Sequence, residues 1–320
     1  MLSIFSVTFP FFALVLCGYL AARLRWLPLE AIPGLNGFVL YFALPCMLYR
    51  FGVTTPVGQL IDGSVLLVWW LCGLVMVGFT LTISLNRRIR WNDAAFGALL
   101  AAFPNTGFMG VPLLVALLGS RAAGPMIVTI VVDMVFTSSL CIALSRLDGA
   151  GRHGMAVAAR QALKGMLFNP LPWSILLGAA NSAVALNLPG PLFRTVGLLA
   201  DAASPVALFT IGAVLARSGM LQPTGQTARP WSDYVPVALV KLLLHPVLVL
   251  LIGGAAIQLG LALEPFALLV LVLVAALPSA SNVSLLAERF GADGGRIARI
   301  ILFSTAASFL SFSLIVALMV

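Results

Sequence analysis

Residues 101–112 read AAFPNTGFMGVP, a cluster of helix-breaking and polar residues inside a long apolar segment. Pro104 and Pro112 flank two glycines, and Asn105 and Thr106 place polar side chains among Ala, Phe, Leu and Val. Proline removes a backbone N–H donor and glycine loosens a helix, so backbone groups here lose their helical partners. The segment therefore predicts a helix that is interrupted near its middle.

The composition around this segment is that of an integral membrane protein. Of the 320 residues, 61% are hydrophobic and only 9% are charged, whereas soluble domains carry about 25% charged residues. The net charge is +8, but the basic residues lie between apolar segments, which indicates membrane topology rather than nucleic-acid binding. The four cysteines lie in apolar segments without metal-ligand spacing, so we expect neither disulfides nor a metal site.

Ten apolar segments are long enough to cross a membrane as helices. Their alternation places 14 of the 18 Lys and Arg residues on one side, which we expect to be the cytoplasmic side. The sequence therefore predicts an all-α protein of the cell inner membrane with both termini on the outer, periplasmic side. The predicted spans are residues 2–22, 34–54, 62–85, 93–118, 124–145, 166–188, 192–216, 234–260, 264–288 and 295–319.

The two halves of the sequence are related by a shift of 160 residues. Each half holds five spans, an odd number, so the second half enters the membrane in the opposite sense. Such an inverted repeat is a common construction of secondary transporters. We predict a first repeat at 1–150, a cytoplasmic linker at 151–165 and a second repeat at 166–320. The pairs aligned by the shift are Pro10–Pro170, Gly18–Gly178, Gly37–Gly197, Ala43–Ala203, Pro45–Pro205 and Gly52–Gly212.

The ninth span carries an interruption like that of the fourth. Residues 276–293 read ALPSASNVSLLAERFGAD, with a proline, serines and an asparagine in the apolar run. Unpaired backbone inside a membrane is tolerated only where protein buries it or where it lines a polar cavity. We therefore expect the two broken helices to cross, with their inner N-terminal ends directed at one anion site. The predicted breaks are Pro104, Pro112, Pro278 and, in the seventh span, Pro205. The candidates for binding a carboxylate are the polar residues Asn105, Thr106, Ser281 and Asn282, together with Gly107.

Four stretches resemble the auxin efflux carrier family, which includes bacterial malonate-type permeases and plant PIN-type auxin carriers. They are FVLYFALPCMLYRFG (38–52), FPNTGFMGVPLL (103–114), FNPLPWSILLG (168–178) and LPSASNVSLLAERFGAD (277–293). The resemblance implies ten helices in two inverted five-helix units, a crossing of the fourth and ninth helices, and transport of organic anions. It also implies a substrate site at Asn105, Asn282 and the region of Pro45 and Cys46.

Charged residues inside the predicted spans are candidates for ion coupling. Asp133 lies in the fifth span and Asp201 in the seventh, four residues before Pro205. A carboxylate in the middle of a membrane is unfavourable unless it faces protein or water. We hypothesise that these acids bind a proton or sodium ion that couples transport; the alternative is a structural acid bonded to Ser, Thr or a backbone amide. Lys241 is expected to reach the cytoplasmic interface, and Trp69 to lie at an interface or in packing.

The predicted function is secondary active or potential-driven transport of a small organic anion by alternating access. The substrate class is a mono- or dicarboxylate such as malonate, or an auxin-like acid. The GxxxxGK[ST] motif is missing, so we expect no nucleotide cofactor. The alternatives are an anion channel, a membrane sensor on a transporter fold, and an intramembrane hydrolase built from Ser281, His245 and Asp201, for which GxSxG and HExxH are missing. We predict no enzyme activity, and the expected partners are the anion, the lipid bilayer and a second copy in a homodimer.

Overall fold

The computed structural model describes residues 2–54, 62–146, 170–184, 188–220 and 230–320. Helical segments occupy all ten predicted ranges, and the fourth and ninth ranges hold two segments each. The predicted linker at 151–165 lies outside the described residues. The segments are α1 (Leu2–Arg23), α2 (Ile32–Thr54), α3 (Gly63–Ser84), α4 (Trp91–Ala102), α5 (Thr106–Leu118), α6 (Ser120–Ser145), α7 (Pro170–Ala183), α8 (Gly190–Met220), α9 (Val235–Gln258), α10 (Pro265–Ala275), α11 (Val283–Arg289) and α12 (Gly294–Met319).

Six of these segments are long and apolar enough to cross a membrane: α2, α3, α6, α8, α9 and α12. The shorter apolar segments include α5 and α10, which are halves of the two interrupted spans. The protein is therefore an all-helical, multi-pass membrane protein. Ten complete crossings stay a prediction.

The chain folds into two compact units, and each unit combines helices from both halves of the sequence. Unit 1 comprises Met1–Asp62, Gly107–Val128 and Phe168–Leu221, and unit 2 comprises Gly63–Thr106, Thr129–Leu167 and Gln222–Val320. The units therefore do not coincide with the predicted repeats. A repeat is a relation between two stretches of sequence, whereas a compact unit depends on which helices pack together.

Unit 1 contains two helix crossings at which glycines allow the backbones to touch. In the crossing of α1 with α8, a Cβ on Gly212 would overlap the carbonyl oxygen of Val15, and a Cβ on Gly18 would overlap that of Phe209. Small residues of this kind let membrane helices approach closely, so that van der Waals contact holds them together. The crossing of α2 with α7 is built in the same way from Gly52 and Gly178.

The two glycine crossings are related by the shift of 160 residues. Gly18 faces Phe209, and the shifted positions, Gly178 and Tyr49, face each other as well. The contact between Gly212 and Val15 has the same relation to the contact between Gly52 and Ile175. Exchanging the two halves of the sequence therefore turns one crossing into the other, which is the pattern that an inverted repeat predicts.

Three prolines are accommodated inside helices by a wide, π-helical turn just before them. The proline ring clashes with the carbonyl four residues earlier and offers no N–H, and a π turn changes the backbone pairing at that point. The helices continue through these prolines, so the prediction that Pro112 breaks its span is wrong. The π turns are Val39–Ala43 before Pro45, Thr106–Gly110 before Pro112, and Val240–Leu244 before Pro246.

The predicted break at Pro205 is also wrong. Pro205 lies inside α8, which is one α-helix from Gly190 to Met220. The missing N–H of Pro205 leaves the carbonyl of Asp201, four residues earlier, without its usual helical donor. The rest of the ladder continues on both sides, so the loss of one hydrogen bond does not end the helix.

The first half of each interrupted span, with the interruption that follows it, belongs to unit 2. All residues from 94 to 106 and from 270 to 280 are buried, and a helix that is apolar on every side belongs in a protein interior. The interruptions therefore begin in an enclosed part of the unit.

A buried arginine at the start of α12 joins three helix beginnings of unit 2. Nε of Arg296 donates to the carbonyl oxygen of Asp233 at 2.8 Å, and Nη1 donates to that of Asp93 at 2.7 Å. The Asp93 carboxylate accepts from the backbone N–H of Asp293 at 2.7 Å. Gly97 gives the guanidinium its space, because a Cβ there would lie 2.7 Å from Nη1.

Candidate functional site

The two interruptions lie side by side and share backbone hydrogen bonds. The N–H of Asn105 donates to the carbonyl of Pro278 at 2.8 Å, and the N–H of Ala280 donates to the carbonyl of Phe103 at 3.0 Å. Pro104 and Ser279 form an antiparallel bridge between these two bonds. Each interruption therefore supplies partners to the other, which stabilises extended backbone inside an apolar unit.

A side chain supplies a partner for the carbonyl that Pro104 leaves unpaired. Because Pro104 has no N–H, the carbonyl of Leu100 loses its helical donor, and Oγ of Ser279 donates to it at 2.8 Å. The N–H of Ser279 in turn donates to Oγ of Ser304 on α12 at 3.2 Å. Ser304 was not a predicted site residue, although a serine in the apolar run of α12 was a usable signal.

Three backbone amides at the interruptions are engaged within the protein. The N–H groups of Asn105 and Ala280 bond the opposite interruption, and that of Thr106 donates to the carbonyl of Pro104 at 2.8 Å. The expectation that the N-terminal ends of the half-helices face an anion stays a prediction. Side chains next to the interruptions also have unused hydrogen-bonding capacity.

Four polar side chains stand next to the paired interruptions. Asn105 and Thr106 are buried at the start of α5, and Ser281 and Asn282 are half-buried just before α11. Among the described residues, no protein group bonds the carboxamide of Asn105 or Asn282, and Oγ1 of Thr106 is buried without a partner. Buried polar groups normally have partners, so these side chains could bind an acceptor from outside, such as a carboxylate.

Asp133 lies in a second polar site of unit 2, which we call the Asp133 cluster: Trp69, Asp133, Thr137, Lys241 and His245. Asp133 is only 1% exposed, and its Oδ1 accepts from Nε1 of Trp69 and Oγ1 of Thr137, both at 3.1 Å. Its Oδ2 is buried without a partner among the described residues. Trp69 is buried too, so it acts as an interior hydrogen-bond donor rather than an interface residue.

The prediction that Lys241 reaches the membrane interface is wrong, because its side chain is fully buried. Nζ of Lys241 donates to the carbonyl of Ala275 at 2.9 Å and lies 2.8 Å from Nδ1 of His245. Ala275 is the last residue of α10, so the Asp133 cluster touches the edge of the ninth-span interruption. The spacing of four residues between Lys241 and His245 in an apolar helix was the sequence signal for this pair.

The remaining predicted site residues belong to unit 1. Pro45 and Cys46 are half-buried in α2, and Gly107 is the second residue of α5. Asp201 forms an ion pair with Arg50, with 2.7 Å between Oδ1 and Nη1, and its side chain is 69% exposed. Of the hypothesised hydrolytic set, Asp201 bonds Arg50, and Nδ1 of His245 faces Lys241.

Apolar spans, two of which are interrupted and paired in an enclosed interior with polar side chains, are typical of membrane transporters. The comparison with known families agrees with this class. Residues 3–316 match the family model described as "Membrane transport protein", and the chain belongs to this family of auxin efflux carriers.

Similar proteins cover nearly the whole chain. A protein of Rhizobium meliloti named "Putative malonate transporter" is 32% identical over 308 residues, which are 95% of this chain and 92% of the relative. The "Uncharacterized transporter YfdV" of Escherichia coli K12 is 27% identical over 88% of this chain and 86% of its own length. An "Uncharacterized transporter" of Methanothermobacter thermautotrophicus is 25% identical over 94% and 93%.

Proposed function

We propose that this protein is a secondary transporter of a small organic anion, and that the anion binds beside the paired interruptions. The supporting observation is the unused hydrogen-bonding capacity of Asn105, Thr106 and Asn282 at that place. Neutral donors can hold a carboxylate without a permanently buried cation, which a membrane interior disfavours. No acidic residue occurs within 101–112 or 276–284 to repel an anion.

The proposed substrate class is a mono- or dicarboxylate. The relative named as a putative malonate transporter supports a short dicarboxylate as the first compound to test. The carboxamide of an asparagine has two N–H donors, and each can bond a carboxylate oxygen. Two asparagines could therefore bind the two carboxylates of such a molecule.

The proposed architecture is ten crossings in two inverted repeats, placed in the inner membrane with both termini on the periplasmic side. The exchange of the glycine crossings under the shift of 160 residues supports the repeat. Alternating access follows for a protein built in this way, since one bundle can move against the other around a central site. Membrane potential or a coupled cation would drive the flux.

Purified protein in liposomes, assayed with radiolabelled malonate, tests the anion site. We expect Asn105→Ala and Asn282→Ala each to raise the half-saturating malonate concentration about tenfold or more, because a hydrogen bond to a charged group contributes roughly 1.5–3 kcal/mol. Asn105→Asp is expected to be worse than Asn105→Ala, because it keeps the size of the side chain but adds a negative charge.

Asn36→Ala, at a half-buried asparagine of α2, serves as the matched control and is expected to transport like the parent protein. If correctly inserted Asn105→Ala and Asn282→Ala variants also match the parent, the anion site is elsewhere. If Asn105→Asp transports better than Asn105→Ala, the role of Asn105 is structural. Single-channel currents far above carrier turnover would identify a channel instead.

A further inference from the structure

The Asp133 cluster is a buried polar site that the anion proposal does not use. It draws its side chains from three helices: Trp69 from α3, Asp133 and Thr137 from α6, and Lys241 and His245 from α9. Two of its atoms, Oδ2 of Asp133 and Nε2 of His245, are buried without a partner among the described residues. Buried polar atoms normally have partners. These two atoms therefore leave the cluster with unused hydrogen-bonding capacity for one small species.

The charges of the cluster are close but not in contact. Asp133 and Lys241 interact electrostatically, yet they form no ion pair within the part of the chain that the structure describes. Two buried charges are unfavourable unless their contact is close and their remaining atoms are bonded. A proton on Oδ2 of Asp133 removes one of the two charges, and the Lys241 ammonium is then held by the Ala275 carbonyl and Nδ1 of His245.

The surroundings of Asp133 favour a proton over a metal cation. The groups bonded to its carboxylate are hydrogen-bond donors, the indole N–H of Trp69 and the hydroxyl of Thr137. A hard cation requires several oxygen ligands, and it would be repelled by the ammonium of Lys241. A proton needs only the one free oxygen.

We propose that Asp133 is a proton-binding site and that Lys241 transmits its protonation state to the ninth-span interruption. A proton from water adds to Oδ2, the carboxylate becomes neutral, and Lys241 keeps its proton and its bond to the Ala275 carbonyl. When that proton leaves, the negative carboxylate draws the Lys241 ammonium away from Ala275. The relay to anion transport rests on the proposed function, whereas the proton site itself does not.

Lys241 can act on the interruption because of where its partner lies. Ala275 ends α10, and three residues later the carbonyl of Pro278 accepts from the N–H of Asn105. Loss of the Lys241 bond would leave the Ala275 carbonyl unpaired in the interior, which is unfavourable. The interruption therefore has two arrangements, selected by one proton.

Few other titratable groups belong to the helices around the cluster. Cys72 of α3 and Cys141 of α6 are buried thiols, and Cys141 interacts electrostatically with Asp133. Thiols ordinarily ionise only near pH 8.5, above the range in which a carboxylate exchanges its proton. α10 carries no titratable residue. The charged residues of α4 and α12 lie in the first two turns of those helices: Asp93, Arg296 and Arg299.

Charge displacement on a solid-supported membrane tests the proton site without any organic anion. Proteoliposomes are stepped rapidly from pH 8 to lower pH, and the transient current from protons entering the buried site is recorded. We expect a transient from the parent protein and its loss in Asp133→Asn, which keeps the size of the side chain but cannot bind a proton. Glu264→Gln, at an exposed carboxylate before α10, is the control and is expected to keep the transient.

Trp69→Phe provides a second variant if Asp133→Asn does not fold. It leaves the carboxylate in place but removes one donor, so we expect the transient to persist with its midpoint moved by about one pH unit. An unchanged transient in Asp133→Asn, an unchanged midpoint in Trp69→Phe, or a loss caused only by Asp201→Asn would each overturn the proposal. Because no anion is present, the test can succeed even if the proposed anion site is wrong.

Hydrogen–deuterium exchange tests the relay. Peptides covering residues 276–282 are compared at two pH values after correction for the intrinsic exchange rate. We expect their protection to change with pH in the parent protein and to be constant in Asp133→Asn. If protection depends on pH in the same way in both proteins, Lys241 does not transmit the protonation state to the interruption. The proton site itself would still be decided by the current measurement.

Discussion

Gly212→Ala is expected to lower the unfolding temperature of the purified protein by roughly 2–5 °C, since overpacking at a close contact destabilises by about 1–3 kcal/mol and a chain of this length shifts by about 1.5 °C per kcal/mol. The new Cβ would overlap the carbonyl oxygen of Val15, a backbone atom that cannot rotate away. α1 and α8 would have to separate over their whole crossing. Gly18→Ala, on the other side of this crossing, is expected to have a comparable effect, as is Gly178→Ala at the crossing of α2 with α7.

The matched control for Gly212 is Gly197→Ala in the same helix. Nothing lies within 4 Å of a Cβ at Gly197, so alanine there is expected to be neutral or slightly stabilising, because it favours the helix over glycine by up to about 1 kcal/mol. The unfolding temperature of both variants is measured in detergent, with aggregation as a signal that does not depend on thiol labelling. Equal unfolding temperatures for the two would show that the close crossing of α1 and α8 does not exist.

Arg296→Gln is expected to destabilise unit 2 by about 3–6 kcal/mol, because it removes two hydrogen bonds from a buried charged donor, each of which contributes roughly 1.5–3 kcal/mol. The carbonyls of Asp93 and Asp233 would lose these two donors. We expect a large drop in the yield of monodisperse protein and in its unfolding temperature. Arg194→Gln, at an exposed arginine of α8, should change neither.

A double-mutant cycle with Gly97 makes this prediction sharper. Gly97→Ala alone is expected to destabilise, because its Cβ would lie 2.7 Å from Nη1 of Arg296 and displace the guanidinium. Once Arg296 has been shortened, the same alanine has room, so its effect should shrink. Effects that simply add would mean that the two residues do not share a contact.

The positions of the helices were largely predictable from the sequence. The third span was expected at 62–85 and the helix is Gly63–Ser84; the tenth was expected at 295–319 and the helix is Gly294–Met319. This agreement has a simple cause, because a run of about 20 apolar residues has few other stable states in a membrane. The interruptions near Asn105 and Asn282 were expected from the same local residues.

The buried partners of the site were less predictable. Lys241 was expected at the membrane surface, because a long cationic side chain usually reaches water when it can. Its actual partner, the Ala275 carbonyl, is available only because α10 ends there. Ser304 was overlooked, since its role depends on the N–H of Ser279, which becomes free only after the helix stops.

The prolines show which features of the helices cannot be predicted from single residues. Missing donors at Pro104, Pro112, Pro205 and Pro278 are properties of the residues themselves, and they were certain before any fold was known. Whether a helix then ends depends on what can satisfy its freed carbonyls: a π turn carries α5 through Pro112, and α8 continues through Pro205. At Pro104 and Pro278 the helix is interrupted, because each interruption supplies hydrogen-bond partners to the other. Ser279, for example, donates to a carbonyl 179 residues away in sequence. Apolar composition and the chemistry of single residues thus determined the membrane class and the weak points of the helices, while contacts between distant segments decided which weak points became the site.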